Sequence, residues 1–166
     1  MGKKQASKIN IQGGWSEFPV AYEEIYGEAS VWTRTSMLGR TTLACQLGRE
    51  DIRGGKLLDV GCGGGRLPIM ASSIAKDVVG IDPAPGAIRI AQLISEAFEL
   101  SNAQFLACDV ENYKTPMEFD VLTAMGVIEH VNEPVTFLNH LSKLLKRGGL
   151  LILEVPSFLN FRGDVY

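Results

Sequence analysis

Cysteine is scarce in this chain and widely spaced. Cys45, Cys62 and Cys108 form no C-x-x-C pair and leave an odd count, so no disulfide framework is indicated and a reducing, cytoplasmic setting fits. Long apolar runs are also missing: none nears the ~18 residues a membrane-crossing helix needs. Met1-Gly2-Lys3-Lys4-Gln5 is basic but has no apolar stretch behind it, which predicts no secretory leader. Gly2 and Ser7 miss the myristoylation spacing. Positive charge is not in excess. The formal net charge is -3, which argues against a nucleic-acid partner, because holding phosphates usually takes a basic face. No internal repeat or low-complexity segment breaks the chain. What remains is 166 residues, 46% hydrophobic and 21% charged, the composition and length of one ordinary globular domain.

Along that domain the pattern changes once. Residues 1–14 are polar and glycine-containing and read as a mobile arm. Residues 15–53 read as N-terminal helices, one through Tyr22, Ile25 and Tyr26, the next through Met37, Leu43, Ala44 and Leu47 to Gly48. From residue 54 to 155, short apolar strands alternate with helical spacings. Strands are expected at 56–61, 78–82, 104–108, 119–125 and 150–155, with helices at 66–75, 84–100 and 133–146 between them. The last helix carries Val135, Leu138, Leu141 and Leu145 on one face. Asn132 is its expected cap and Pro134 lies in its first turn, with Lys143, Lys146 and Arg147 at its end and Gly148 closing it. Nearly all-apolar strands alternating with helices predict an α/β, doubly wound, Rossmann-like parallel sheet covered on both faces.

The most informative stretch is Leu57-Leu58-Asp59-Val60-Gly61-Cys62-Gly63-Gly64-Gly65-Arg66. It reads as a strand running into a glycine turn and then a helix. Glycines admit backbone conformations closed to other residues and let a ligand lie against the main chain near a helix start. A dinucleotide fingerprint needs G-x-G-x-x-G, and Arg66 stands at the sixth position, so that pattern fails and D-x-G-x-G-x-G remains. Ligands of such sheets bind outside the carboxyl ends of the strands. Asp82 closes the second strand, where a carboxylate accepts from ribose hydroxyls; capping the helix after Pro83 is the alternative, and the two can coexist. Asp109, flanked by Cys108 and Val110, closes the third, where an acid can take an adenine amino group, or serve as a turn carboxylate. Cys108 reads as a small buried side chain. Met125-Gly126-Val127-Ile128-Glu129-His130-Val131 closes the fourth.

The glycine loop, Asp82, Asp109, the Glu129-His130 corner and Leu145-Lys146-Arg147-Gly148-Gly149-Leu150 together resemble class I S-adenosylmethionine (SAM) methyltransferases over residues 54–155. Leu58 to Gly65 and Ile128-Glu129-His130-Val131 are similar to the ubiquinone-biosynthesis O-methyltransferases in particular. The resemblance implies SAM as cofactor, S-adenosylhomocysteine as product and a small-molecule acceptor, methylated at oxygen. The alternatives are a SAM-binding module without its own catalysis, or a methyltransferase acting on RNA or protein. Residue by residue, it implies that Gly61, Cys62, Gly63 and Gly65 face the methionine portion, and that Asp59 orients the loop or reaches the ammonium through water. Asp82 and Pro83 would meet the ribose, Asp109 and Val110 the adenine, and Met125 and Gly126 the methionine portion again. Arg34 or Arg40 would reach the cofactor carboxylate, or else be solvated helix charges.

At the acceptor, Glu129 and His130 are the candidates for catalysis. His130 suits a general base by its ordinary pKa, or else holds the loop to the next helix. His140 reads as a surface residue. Relatives with E-x-x-E-H hold a divalent metal; Gly126 stands at the first acid position here, so no metal is expected. Family sheets carry seven strands, the last two a C-terminal hairpin. The tail, 156–166, leaves no room for that hairpin, which predicts an exposed, apolar fifth strand open to self-association.

Overall fold

In the computed structural model, residues 31–155 are described, with side chains from residue 38 onward. The expected arm, the first N-terminal helix and the tail 156–166 lie outside the described residues. The elements are α1 (Val31–Leu47), α2 (Arg49–Ile52), β1 (Lys56–Val60), α3 (Arg66–Ala71), β2 (Asp77–Asp82), α4 (Pro85–Ala97), β3 (Ala103–Ala107), β4 (Phe119–Met125), a 3-10 turn (Ile128–His130), α5 (Pro134–Leu144) and β5 (Leu145–Glu154). The sheet is parallel throughout, in the order β3-β2-β1-β4-β5. The chain runs outward from β1 to β3, then crosses back to lay β4 against the other side of β1. That reversal opens a crevice at the carboxyl ends of β1 and β4. Among the described residues no helix is long and apolar enough to cross a membrane.

Alternation along the central strands divides the core. Leu58 and Val60 of β1, Val79 and Ile81 of β2, and Leu122 and Ala124 of β4 pack under Phe137 and Leu141 of α5. Leu57, Val78 and Val121 face the other way, under Ala44, Ile52, Leu67 and Ala71. Beside them Phe105 and Cys62 pack with Ile69, Ile88, Ala91 and Ile94. Asp59 and Thr123 share this second face, at paired register positions.

Several expected boundaries move, each for a local reason. The helix expected at 66–75 ends at Ala71, where Ser72 Oγ donates to the Ile69 carbonyl at 2.7 Å and Asn102 Nδ2 donates to the Ser72 carbonyl at 2.9 Å. The helix expected at 84–100 ends at Ala97, and Glu99 adopts a left-handed φ of 54°. The third strand runs from Ala103 rather than Gln104. Glu133, not Asn132, stands at the cap of α5, and no side chain bonds there. Val135 is exposed while Phe137 carries the packing. Lys146, Arg147 and Gly148 do not end a helix; they belong to β5, which opens with an irregularity between the Phe119–Leu145 and Val121–Leu150 pairs.

Asp120 pins that irregular segment. Its Oδ2 accepts from the Lys56 amide at 2.8 Å and its Oδ1 from Lys146 Nζ at 2.6 Å. The Lys146 ammonium first, and then the Lys56 amide, hold the Asp120 carboxyl below the usual carboxylate range. A lowered native pKa stabilises the fold above the unfolded value, and that stability is lost as pH falls through the native one. Asp120→Ala is expected to cost about 1–2 kcal/mol in urea unfolding at pH 7. The difference from wild type should shrink in melts below about pH 4.

Candidate cofactor site

The glycine turn is held from β2. The Gly61 and Cys62 amides both donate to the Ile81 carbonyl, at 2.8 and 3.0 Å, and the Gly65 amide donates to the Cys62 carbonyl at 2.9 Å. Asp82 ties the middle of the loop to the next helix. Its Oδ2 accepts from the Gly63 amide at 2.9 Å and its Oδ1 from the Ala84 amide at 2.8 Å. Asp82 thus does not cap α4, whose cap position is Ala84 and takes no side-chain bond; it braces the glycine loop against the turn that leads into that helix, a role the sequence did not show. Each carboxylate oxygen has a second lone pair left for another donor.

The glycines divide by what surrounds them. A Cβ on Gly61 would collide with Val127, and one on Gly65 would lie 2.7 Å from the Phe105 ring and 2.8 Å from Ala91. These two are packing glycines. Gly63, at φ +51°, has nothing within 4 Å on that side and presents open backbone. Cys62 turns its side chain into the core, where its sulfur is 2.8 Å from the position of a Cβ on Gly80. Burial pushes its thiol pKa up, so it presents main chain rather than a thiolate. On the side-chain side Gly63 is thus the open one of the three, while Gly61, Cys62 and Gly63 all border one cavity.

Two cavities meet at Gly61. The smaller, about 130 Å³, is lined by Arg40, Thr41, Asp59, Gly63, Arg66 and Met125. The larger, about 270 Å³, is lined by Ile81, Pro83, Asp109, Val110, Val127 and His130 among others. The first mixes charged side chains and glycine main chain with Leu67 and Met125, and the second is lined mostly by apolar side chains. Asp109 is exposed at the rim, accepting from the Asn112 amide at 2.8 Å and Asn112 Nδ2 at 3.0 Å; Val110 is buried beneath it.

Asp59 is 4% exposed. Its Oδ1 accepts from Thr123 Oγ1 at 2.6 Å, across the paired strands, so its bond goes to β4 rather than to the loop. Burial pushes its carboxyl pKa up to about 7, the Thr123 hydroxyl opposing and the Asp82 charge adding to the rise. Thr123 is a residue the sequence reading missed: a polar position amid apolar ones in its strand, meaningful only once the register is known.

Glu154 is a second such residue. It closes β5 opposite Met125, and its carbonyl accepts from the Gly126 amide at 2.9 Å. Arg40 Nη1 donates to both its carboxylate oxygens, at 3.0 and 2.9 Å. Arg40 is therefore neither simply solvated nor free for a ligand. The side chain of Arg34 lies outside the described residues. Glu129 is exposed, with Oε1 3.4 Å from the position of a Cβ on Gly126. His130, also exposed, borders the Asp109 cavity instead of the Met125 one. His140 is half-buried rather than on the surface, since it flanks Phe137 and Leu144 of the packed helix face, and its Nδ1 has no hydrogen-bond partner. Among the described residues no group of three or more His, Cys, Asp or Glu is placed to hold a metal ion.

Two outcomes follow. Gly65→Ala is expected to destabilise by about 2–5 kcal/mol, from left-handed strain plus overpacking, while Gly63→Ala should cost about 1–2 kcal/mol of strain alone; urea midpoints separate them. For Asp59, a native pKa near 7 against an unfolded one near 3.8 means the folded state binds the extra proton. Stability therefore falls as pH rises from about 4 to about 7, by on the order of 4 kcal/mol. Asp59→Asn removes that dependence. Its stability relative to wild type should climb across this window and level off above it; a gap that stays constant with pH would contradict the assignment.

Residues 52–160 match a family described as a methyltransferase domain. The mitochondrial ubiquinone biosynthesis O-methyltransferase of Schizosaccharomyces pombe is 35% identical over 111 residues, covering 66% of this chain and 40% of that protein. The tRNA U34 carboxymethyltransferase of Idiomarina loihiensis is 38% identical over 109 residues, covering 63% and 34%. Among solved structures, the N-methyltransferase NodS of Bradyrhizobium japonicum WM9, in complex with S-adenosyl-L-homocysteine, superposes with a TM-score of 0.66 at 20% identity, covering 82% of this chain and 71% of that one. The chain spans about two fifths of the length of the ubiquinone-pathway relatives it matches. With a parallel sheet in the order β3-β2-β1-β4-β5 and the family match running through all five strands, the chain belongs to the methyltransferase domain family, on the class I SAM-dependent methyltransferase fold.

Proposed function

We propose that this domain binds SAM and transfers its methyl group to a small-molecule acceptor, at oxygen. The observation that carries the reading is the pair of dissimilar cavities meeting at Gly61. SAM is a molecule of two such halves, an adenosine and a charged amino-acid chain joined at a sulfonium. The adenine would lie over Val110 and Ile81 with Asp109 at the rim, and the ribose hydroxyls would donate to the remaining lone pairs of Asp82. The amino-acid end would pass the open face of Gly63 toward Asp59, Arg40 and Met125. The fit rests on this chain's own features: an uncrowded glycine where the ligand must touch backbone, and a carboxylate that braces that glycine's amide and keeps lone pairs for further donors.

The cofactor supplies an activated methyl group, so the protein's task is alignment and exclusion of water. Asp59, nearly dry and tied to Thr123, holds its proton up to about pH 7 in the free protein, and a cationic group brought beside it would favour its charged form. Of the two acceptor-side candidates, Glu129 stands over Gly126 and we assign it to the acceptor. His130 borders the adenine cavity, and we assign it to the cofactor side rather than to general-base catalysis. Oxygen is favoured by the names of the ubiquinone-pathway relatives. Transfer to RNA is the second reading, favoured by the tRNA-modifying relative; the net charge of -3 weighs against it.

Calorimetry tests the reading. SAM and S-adenosylhomocysteine should bind at sub-millimolar levels and NAD should not. Asp82→Ala should weaken SAM binding by about 1–3 kcal/mol. Absence of SAM binding would sink the proposal, and unchanged affinity in the variant would return Asp82 to bracing the loop alone.

A further inference from the structure

Arg40 and Glu154 come from opposite ends of the described chain, 114 positions apart. Arg40 belongs to α1 and Glu154 to the last position of β5. Their ion pair joins β5 to the cavity that Arg40 lines with Asp59, Gly63 and Met125, and Glu154 itself lies opposite Met125 in the register. Glu154 is anchored through its main chain to Gly126, and its Oε2 lies 3.7 Å from the position of a Cβ there. The Arg40 side chain is 43% exposed and that of Glu154 24%. A pair this open to water is weak, so a better-placed carboxylate can displace one partner. The amino-acid end of SAM brings one carboxylate into this cavity.

We propose that Glu154 is a positioning residue of the cofactor site, holding Arg40 over the cavity in the free protein and yielding it to the cofactor carboxylate on binding. The proposal rests on the SAM reading above. Glu154 is then an internal competitor for the cofactor. It holds the guanidinium in one place beside the cavity, at the expense of some affinity. Binding frees its own carboxylate beside Gly126, facing Glu129, so the acceptor side of the crevice gains a negative charge when the cofactor is seated. A ligand that changes the charge of a neighbouring subsite in this way couples the order of binding.

The test is calorimetry with S-adenosylhomocysteine, which carries the carboxylate but lacks the sulfonium that Glu154 could attract directly. Glu154→Gln is expected to bind it about two- to fivefold more tightly than wild type, and Glu154→Asp to stay near wild type. In an Arg40→Ala background, Glu154→Gln should change nothing, because the competition is gone. A merely structural role would not tighten binding. Weaker or unchanged binding in Glu154→Gln, or equal tightening with and without Arg40, would overturn the proposal. Failure of the wild-type protein to bind S-adenosylhomocysteine at all would instead refute the underlying SAM reading, and this inference with it.

Discussion

The site depends on one small set of hydrogen bonds, those that fasten the glycine turn to β2. Two consecutive amides, Gly61 and Cys62, share the Ile81 carbonyl, and the Gly63 amide is taken by the Asp82 carboxylate. A loop this rich in glycine has more conformational freedom to lose than any other composition, and these bonds are where that entropy is offset. Once they form, the cavities on either side of Gly61 have a common wall. Cys62 is turned into the core against Gly80 and Phe105, and α3 starts in the place that brings Arg66 to the polar cavity. Gly65 lets Phe105 and Ala91 close beneath the loop. The turn is therefore a packed feature of the core as much as a ligand cradle.

Charge is placed sparingly around that turn, and Asp59, Asp82 and Glu154 each have a hydrogen-bond partner. Asp59 is dry and keeps a proton up to about pH 7 because burial outweighs the Thr123 hydrogen bond. Asp82 is spent on two amides yet retains acceptor capacity. Glu154 neutralises Arg40, which borders the smaller cavity. Asp120, far from the crevice, does the corresponding structural work at the irregular start of β5. A binding site for a molecule carrying both signs of charge needs this economy, since an unpaired buried ion is far more costly than a traded one.

Much of the site was legible in residues 57–66, because a glycine turn after an apolar strand has few structural uses. Asp82 and Asp109 were legible because an acid ending an apolar strand points to the ligand side of such a sheet. Glu154 obeys the same rule, closing Leu150-Leu151-Ile152-Leu153, and so a signal for it was present. Thr123 had none, because its meaning comes from lying across from Asp59 in a neighbouring strand. Helix ends were the poorest reading. The Lys146-Arg147-Gly148 run looks like a helix terminus, and only the pairing of Lys146 with Asp120 draws it into β5.

The sequence by itself determined the alternation of strands and helices, the parallel sheet and the identity of the glycine loop, since periodicity and glycine placement are local properties. Tertiary structure alone decided which loop glycine stays open, which charges neutralise one another, and that His130 falls beside Asp109 and Val110 while Glu129 falls over Gly126. Those outcomes depend on strand order and register. Register brings together residues dozens of positions apart, and no local pattern encodes which of them will meet.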